Sequence, residues 1–524
     1  VLKGEMMMSK CIMFQGTCSD AGKSLITAAF CRIFKQDGLS PIPFKSQNMA
    51  LNSYITDEGL EMGRAQVFQA EAAGMKPQVC MNPILLKPSS DRKSQVIING
   101  KVYKNMSARE YHEFKPELAG MIREIYEDIS SKHDVVVIEG AGSPAEINLR
   151  AKDIVNMGMA EIADAPVILI GDIDRGGVFA SLAGTIMLLT EEERKRVKGV
   201  IINKFRGDKT ILDPGIKMLE DIIKIPVLGV IPYTHLKLEE EDSLSSRFNN
   251  KRDKRKPIDV AVIYLPHISN FTDFNMFETQ EDVNLRYVRR GETIGETDMV
   301  IIPGSKNTIS DLMYLKESGL DIEIHKLQSQ GKLIWGVCGG YQMLGHKIYD
   351  PYGVEGSHKE CYGLGLLNME TTFAAEKVTT QVEGKINPHL PGILKDLGGR
   401  KVKGYEIHMG VSTKIGPCQD LLTIENSLGE KVSHLEGCIN EEGNVIGSYM
   451  HGIFDEAEFL RSLLNKIRET KNLEHIESEV TSFASFKEGE YDKLAQVVRE
   501  NMDMQAIYEI LGYEHIGQQG VCHE

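Results

Sequence analysis

Residues 11–24, Cys11-Ile12-Met13-Phe14-Gln15-Gly16-Thr17-Cys18-Ser19-Asp20-Ala21-Gly22-Lys23-Ser24, decide the fold of the first half of this chain. Residues 11–15 form an apolar run that predicts a strand. Residues 25–36 carry apolar side chains at helical spacing and stop before Gly38. The turn between them has the composition of a phosphate-binding loop. Glycine lets the backbone aim its N–H groups at phosphate oxygens, lysine neutralises terminal phosphates, and a hydroxyl can hold magnesium. Gly22, Lys23 and Ser24 supply all three, although Gly16 stands one residue further away than in the usual GxxxxGKS spacing.

Outward from this loop, short β-branched runs recur at 135–138, 167–170, 200–202 and 227–231. Such continuous runs predict strands buried on both faces, hence a parallel sheet flanked by helices. Carboxylates are expected where these strands end. Glu139 closes the run VVVIE beside Gly140-Ala141-Gly142 and is the main candidate for a metal-linked acid. Asp57 and Glu61 are further candidates in a turn-like stretch. Asp172 and Asp174 end another strand, at the sheet edge where open α/β folds bind ligands. Asn203 follows a strand, where its amide could read a base.

A second α/β pattern starts at 258–265 and continues through 299–302, 333–337 and 445–449. Trp335-Gly336-Val337-Cys338-Gly339-Gly340 reads as a nucleophile elbow, a tight strand-to-helix turn that needs small flanking residues and pushes the cysteine toward substrate. The thiolate needs a base. His451, directly after the last strand-like run, is preferred over His408. Backbone N–H groups of Gly304 and Gly339 are the expected oxyanion donors. Cys31 and Cys80 lie in apolar settings and are expected in the core. A nucleotide site and a cysteine acyl-transfer site on one chain suggest ATP-driven chemistry fed by ammonia from glutamine.

The chain has 524 residues, too many for one core. The expected plan is an α/β protein of two domains. Residues 8–242 form a P-loop domain, 243–257 a linker, 258–455 a second α/β domain and 456–524 a C-terminal helical extension. The linker contains the basic run KRDKRK, without interleaved aromatics. A net charge of −15 argues against nucleic-acid binding by charge alone. Nine cysteines without a CxxC pair fit reduced thiols. No apolar run reaches the roughly 18 residues of a membrane span, and no secretory signal opens the sequence. A cytoplasmic protein without membrane or nucleic-acid partners is expected, with small-molecule partners and room for a homo-oligomer.

The first half resembles the dethiobiotin-synthetase-like ATPases, and the second resembles class I glutamine amidotransferases of the cobalamin-pathway type. Over essentially its whole length the chain resembles the CobQ/CbiP family. The stretches that carry this are FKSQNM (44–49), GRAQ (63–66), NPILLKP (82–88), EGAGSPAEINL (139–149), DIDRGGVF (172–179) and PGSKNT (303–308). The resemblance implies ATP- and glutamine-dependent amidation of the b, d, e and g carboxylates of a cobalt corrinoid, adenosylcobyrinic acid a,c-diamide. ATP would form an acyl phosphate, and Cys338 would release ammonia through a glutamyl thioester. By analogy Gly16, Thr17, Ser19, Gly22, Lys23, Ser24 and Lys45 would hold ATP, with Ser24 and Glu139 on Mg2+. Arg64, Lys87, Arg150 and Arg175 are plausible partners for substrate carboxylates or phosphates. Ordinary class I amidotransferases carry a glutamate two residues after the histidine; here that place is Ile453. The residue that orients His451 therefore stays open, with Asp455 one option. The a,c-diamide synthase of the same pathway is the near alternative. A non-enzymatic P-loop switch with a degenerate second domain is the distant one.

Overall fold

Valine- and isoleucine-rich runs become strands that are buried throughout, as in Val135–Glu139 and Ile258–Ile263. The computed structural model describes residues 10–90, 93–234, 255–355, 358–477 and 483–513. Most of the expected linker, 243–254, lies outside the described residues. The chain divides into two compact units. The first gathers Val1–Ala50, Met62–Ser243 and Lys487–Glu524, and the second Leu51–Glu61 and Leu244–Phe486.

The first unit is built on a six-stranded parallel sheet in the order Val227–Pro232, Val197–Phe205, Val167–Asp172, Lys10–Gly16, Val135–Glu139, Pro41–Phe44. The chain places Val135–Glu139 and Val167–Asp172 on opposite sides of Lys10–Gly16, so the strand order reverses at the phosphate loop. Ligands of open α/β sheets bind at such a switch point, beyond the carboxyl ends of the strands. Phe14 is in register with Glu139, which brings the carboxylate beside the loop. A four-stranded sheet of Gln47–Met49, Ile84–Ser90, Lys93–Ile98 and Lys101–Ser107 belongs to the same unit and was not anticipated.

The second unit carries an eleven-stranded sheet. Five strands are parallel, Val283–Val288, Ile258–Ile263, Met299–Ile302, Leu333–Val337 and Val445–Ser448. Long antiparallel strands extend it through Glu430–Ile439, Gln419–Ser427, Met369–Ile386 and Lys401–Lys414. The helix Ala457–Thr470 buries Phe459, Leu460, Leu463, Leu464 and Ile467 in this core.

The domain plan needs correction at two places. Residues 456–524 are not one extension. The helix Ala457–Thr470 fills the second core, whereas Tyr491, Leu494, Val498, Ile507 and Tyr508 fill the first, against Phe30 and Phe34. Arg32 pairs with Asp492 at 2.7 Å and Arg499 with Asp37 at 2.9 Å, which ties the last helices to the helix Lys23–Gln36. The other correction is Leu51–Glu61, which folds with the second unit although its neighbours in sequence fold with the first.

Candidate functional sites

The loop after Lys10–Gly16 turns at Asp20 (φ 59°) and Gly22 (φ 90°). A side chain at Gly22 would meet strain and also stand 2.2 Å from Asn203 Nδ2. Asn203 donates that amide to Ala21 O at 2.9 Å. It therefore props the loop from below, and the expected base-reading amide is engaged with backbone. Lys23 Nζ donates to Cys18 O at 3.0 Å. Thr17 Oγ1 is buried with no hydrogen-bond partner among the described residues. Beside it lies a cavity of about 410 Å3, lined by Thr17, Ser19, Gln47, Lys115, Ser143 and Arg150 among others.

Glu139 is fully buried at the centre of a polar cluster. Its Oε1 accepts from Ser24 Oγ at 2.8 Å and from Lys45 Nζ at 2.8 Å, and Oε2 accepts from Gln69 Nε2 at 2.6 Å. Burial alone would raise its pKa. The charge and hydrogen bond of Lys45, the amide of Gln69 and the charge of Lys23 outweigh that, and hold the carboxyl below its ordinary value. Ser24, Lys45 and Glu139, chosen separately from sequence, thus meet at one point. Gln69 was missed, since a helical glutamine carries no motif.

Other expected residues fall elsewhere. Asp57, expected on the metal, is exposed and folds with the second unit, near Lys403, whereas Glu139 folds with the first. Glu61 is buried against Lys377 at 2.5 Å. Asp172 lies 3.2 Å from Lys204, and Arg175 reaches Asp20 at 2.6 Å, so both brace the phosphate loop. Arg150 pairs with Glu193 at 3.4 Å on the cavity rim. Arg64 and Lys87 are both buried in the first unit. Cys31 is buried as expected, but Cys80 is only partly so.

In the second unit Cys338 follows the strand Leu333–Val337 with φ 50° and ψ −107°, a costly conformation for a non-glycine residue. The tight turn depends on its neighbours. A Cβ on Gly340 would stand 2.0 Å from Ile302 O, and one on Gly339 would stand 2.9 Å from Ser305 N. Gly304-Ser305 therefore runs directly against the elbow. A Cβ on Gly304 would also lie 3.1 Å from His451 Cε1.

His451 is buried, and its ring is held on several sides. Its Nδ1 lies 2.7 Å from Asp273 Oδ2, and the other Asp273 oxygen accepts the Gly452 N–H at 3.1 Å. Asn270 Nδ2 approaches Nε2 at 3.4 Å. Tyr405 stacks on the imidazole with centroids 5.2 Å apart. Burial would lower the imidazole's proton affinity. The charges of Asp273 and Cys338, and hydrogen bonds to both, outweigh burial and push it up to about 10. A cationic imidazole beside the sulfur is the arrangement a thiolate nucleophile needs. His408 instead bonds Gly410 O at 2.8 Å and stacks on Tyr449.

Asp273, not Asp455, orients His451. It stands in the short 3-10 helix Phe271–Phe274, past the carboxyl end of the strand Ile258–Ile263. The polar stretch Asn270-Phe271-Thr272-Asp273 at a strand's carboxyl edge was the available signal.

Residues 12–244 match the CobQ/CobB/MinD/ParA nucleotide binding domain, and residues 259–459 match the CobB/CobQ-like glutamine amidotransferase domain. The cobyric acid synthase of Alkaliphilus metalliredigens (strain QYMF) is 59% identical over 501 residues, 95% of this chain and 99% of the relative. That of Thermoanaerobacter sp. (strain X514) is 58% identical over 500 residues, 95% of this chain and 98% of the relative. One from Clostridium botulinum (strain 657 / Type Ba4) is 57% identical, over 96% of this chain and 99% of the relative.

A nucleotide-binding unit and an amidotransferase unit on one polypeptide define an amide-forming ligase that draws on glutamine. Within that class, the chain belongs to the cobyric acid synthase family.

Proposed function

We propose that this protein amidates the b, d, e and g carboxylates of adenosylcobyrinic acid a,c-diamide with ATP and glutamine. The full-length match to cobyric acid synthases carries this reading, and the geometry of both units supports it. In the second unit, Cys338 attacks the glutamine carboxamide. The tetrahedral oxyanion meets backbone N–H groups of the elbow and the Gly304 loop. His451, held by Asp273, protonates the leaving ammonia, and water then releases glutamate from the thioester.

In the first unit, the loop of Gly16 to Ser24 cradles phosphates with its N–H groups, and Lys23 and Lys45 supply positive charge. A substrate carboxylate enters the cavity beside Thr17 and Ser19 and is activated as an acyl phosphate, which ammonia converts to the amide. The oxygen donors Ser24 Oγ and Glu139, only 2.8 Å apart, suit Mg2+. Among the described residues, no group of three or more His, Cys, Asp or Glu is set to hold a metal. Mg2+ would therefore draw on Ser24, Glu139, phosphate and water, and would supply neutralisation of phosphate charge. Among the described residues no helix is long and apolar enough to cross a membrane, and we assign the protein to the cytoplasm.

The test is mass spectrometry of the corrinoid after incubation with the full chain, ATP, Mg2+ and glutamine. Successive conversion of carboxylates to amides is expected. An unchanged corrinoid, with glutamine still hydrolysed, would require a different acid acceptor.

A further inference from the structure

Residues 51–61 do not behave as a loop of the nucleotide-binding unit. Thr379 Oγ1 donates to Gly59 O at 3.1 Å, Gln381 Nε2 bonds Ile55 O, and Lys377 pairs with Glu61 at 2.5 Å. Ile55 is fully buried with Tyr405 and Ile407. The segment is thus seated on the antiparallel strands Met369–Ile386 and Lys401–Lys414.

Ser53 links this segment to the surroundings of His451. Its N–H donates to Asn270 Oδ1 at 3.0 Å, and its carbonyl accepts from Tyr405 OH at 3.2 Å. Asn270 and Tyr405 both touch the imidazole of His451, one at Nε2 and one on the ring face. A single peptide residue therefore holds two neighbours of the candidate base. A backbone N–H can only donate, so Ser53 fixes the oxygen of the Asn270 amide on its own side. The amide nitrogen is thereby turned toward His451. Asn270 itself has φ 52°, a left-handed conformation that asparagine tolerates better than most residues.

We propose that Asn270 is a positioning residue for the His451–Cys338 pair, and that Ser53 sets its orientation, making residues 51–61 a built part of the glutaminase centre. This rests on the amidotransferase reading of Cys338. When the thioester forms, the carbon–nitrogen bond of the glutamine amide breaks, and the nitrogen keeps the electron pair. It takes the Nε2 proton of His451 and leaves as ammonia. The imidazole is then neutral, with a lone pair on Nε2. Asn270 Nδ2–H donates to that lone pair and keeps the ring in place for the water step, while Asp273 holds Nδ1–H.

Full-chain variants test this. Asn270→Gly removes the amide and keeps the left-handed backbone. Asn270→Asp keeps an acceptor for Ser53 and puts an anionic acceptor where the donor stood. Glutamine hydrolysis by Asn270→Gly should lose kcat by about tenfold with KM for glutamine little changed, the loss expected of one hydrogen bond to a reacting group. Asn270→Asp should move the pH profile of glutamine hydrolysis to higher pH, because the added anion favours the imidazolium. Removing the Ser53 N–H in Ser53→Pro should reproduce the kcat loss. Thermal unfolding of each full-chain variant reports whether it is folded. Cys338→Ser is run alongside. If it still hydrolyses glutamine, the amidotransferase reading itself fails. If it is inactive while both Asn270 variants keep wild-type kcat and pH profile, the positioning role is wrong.

Discussion

Asp273 grips His451 and Gly452 together, one carboxylate oxygen 2.7 Å from the imidazole Nδ1 and the other 3.1 Å from the next backbone nitrogen. The carboxylate sits 178 residues upstream of the histidine it orients. It does the work that a glutamate two residues downstream does in ordinary class I amidotransferases. The ring is thereby held at Nδ1 beside Cys338.

Replacing Asp273 with Asn keeps the size and removes the charge. Glutamine hydrolysis should fall by on the order of 100-fold, while amidation with free ammonia should persist. A steady-state comparison of the two nitrogen sources checks this.

The same pair sets a pH dependence. His451 is raised from an ordinary 6.5 to about 10, so its contribution to stability is complete below about pH 6.5. That contribution is lost as the pH climbs through about 10. In Asp273→Asn the loss should begin at lower pH. Denaturant midpoints of both proteins, measured across the alkaline range, should converge at high pH and separate near neutrality.

Cys338→Ser should abolish glutamine-dependent amidation and leave ammonia-dependent amidation intact, because the two sets of residues belong to different units. Loss of both would give Cys338 another role. Assays with glutamine and with ammonium salts, side by side, decide it.

Lys23→Ala should abolish amidation from either nitrogen source. Glu139→Gln should do so as well and also destabilise the first unit. It leaves the buried Lys45 ammonium without its carboxylate, a loss of about 3 kcal/mol for a broken buried pair. Thermal unfolding should show the stability loss for Glu139→Gln and little change for Cys338→Ser.

The legible parts of the fold were those with local signatures. The phosphate loop, the elbow at Cys338 and the buried parallel strands each announce themselves within a few residues. Ser24, Lys45 and Glu139 were found one by one and meet in one cluster. The strands 369–386 and 401–414 were not legible, because they mix buried, partly buried and exposed positions and carry no continuous apolar run. Asp273 and Asn270 were missed for another reason. Their roles depend on a histidine far along the chain, and no short spacing links them. Asp57 stands near the phosphate loop in sequence yet folds with the other unit, which no local pattern in the sequence announces.

The last helices of the chain have a consequence for synthesis. Tyr491, Leu494, Val498 and Ile507 complete the core around Phe30 and Phe34, which leave the ribosome more than 450 residues earlier. The first unit emerges first yet waits for residues 491–507 to close its core. Until then the helix Lys23–Gln36 shows an apolar face to solvent, a surface that invites chaperones or aggregation. A truncation near the carboxyl terminus would therefore damage the nucleotide site at the opposite end of the sequence, and do so before the glutaminase suffers.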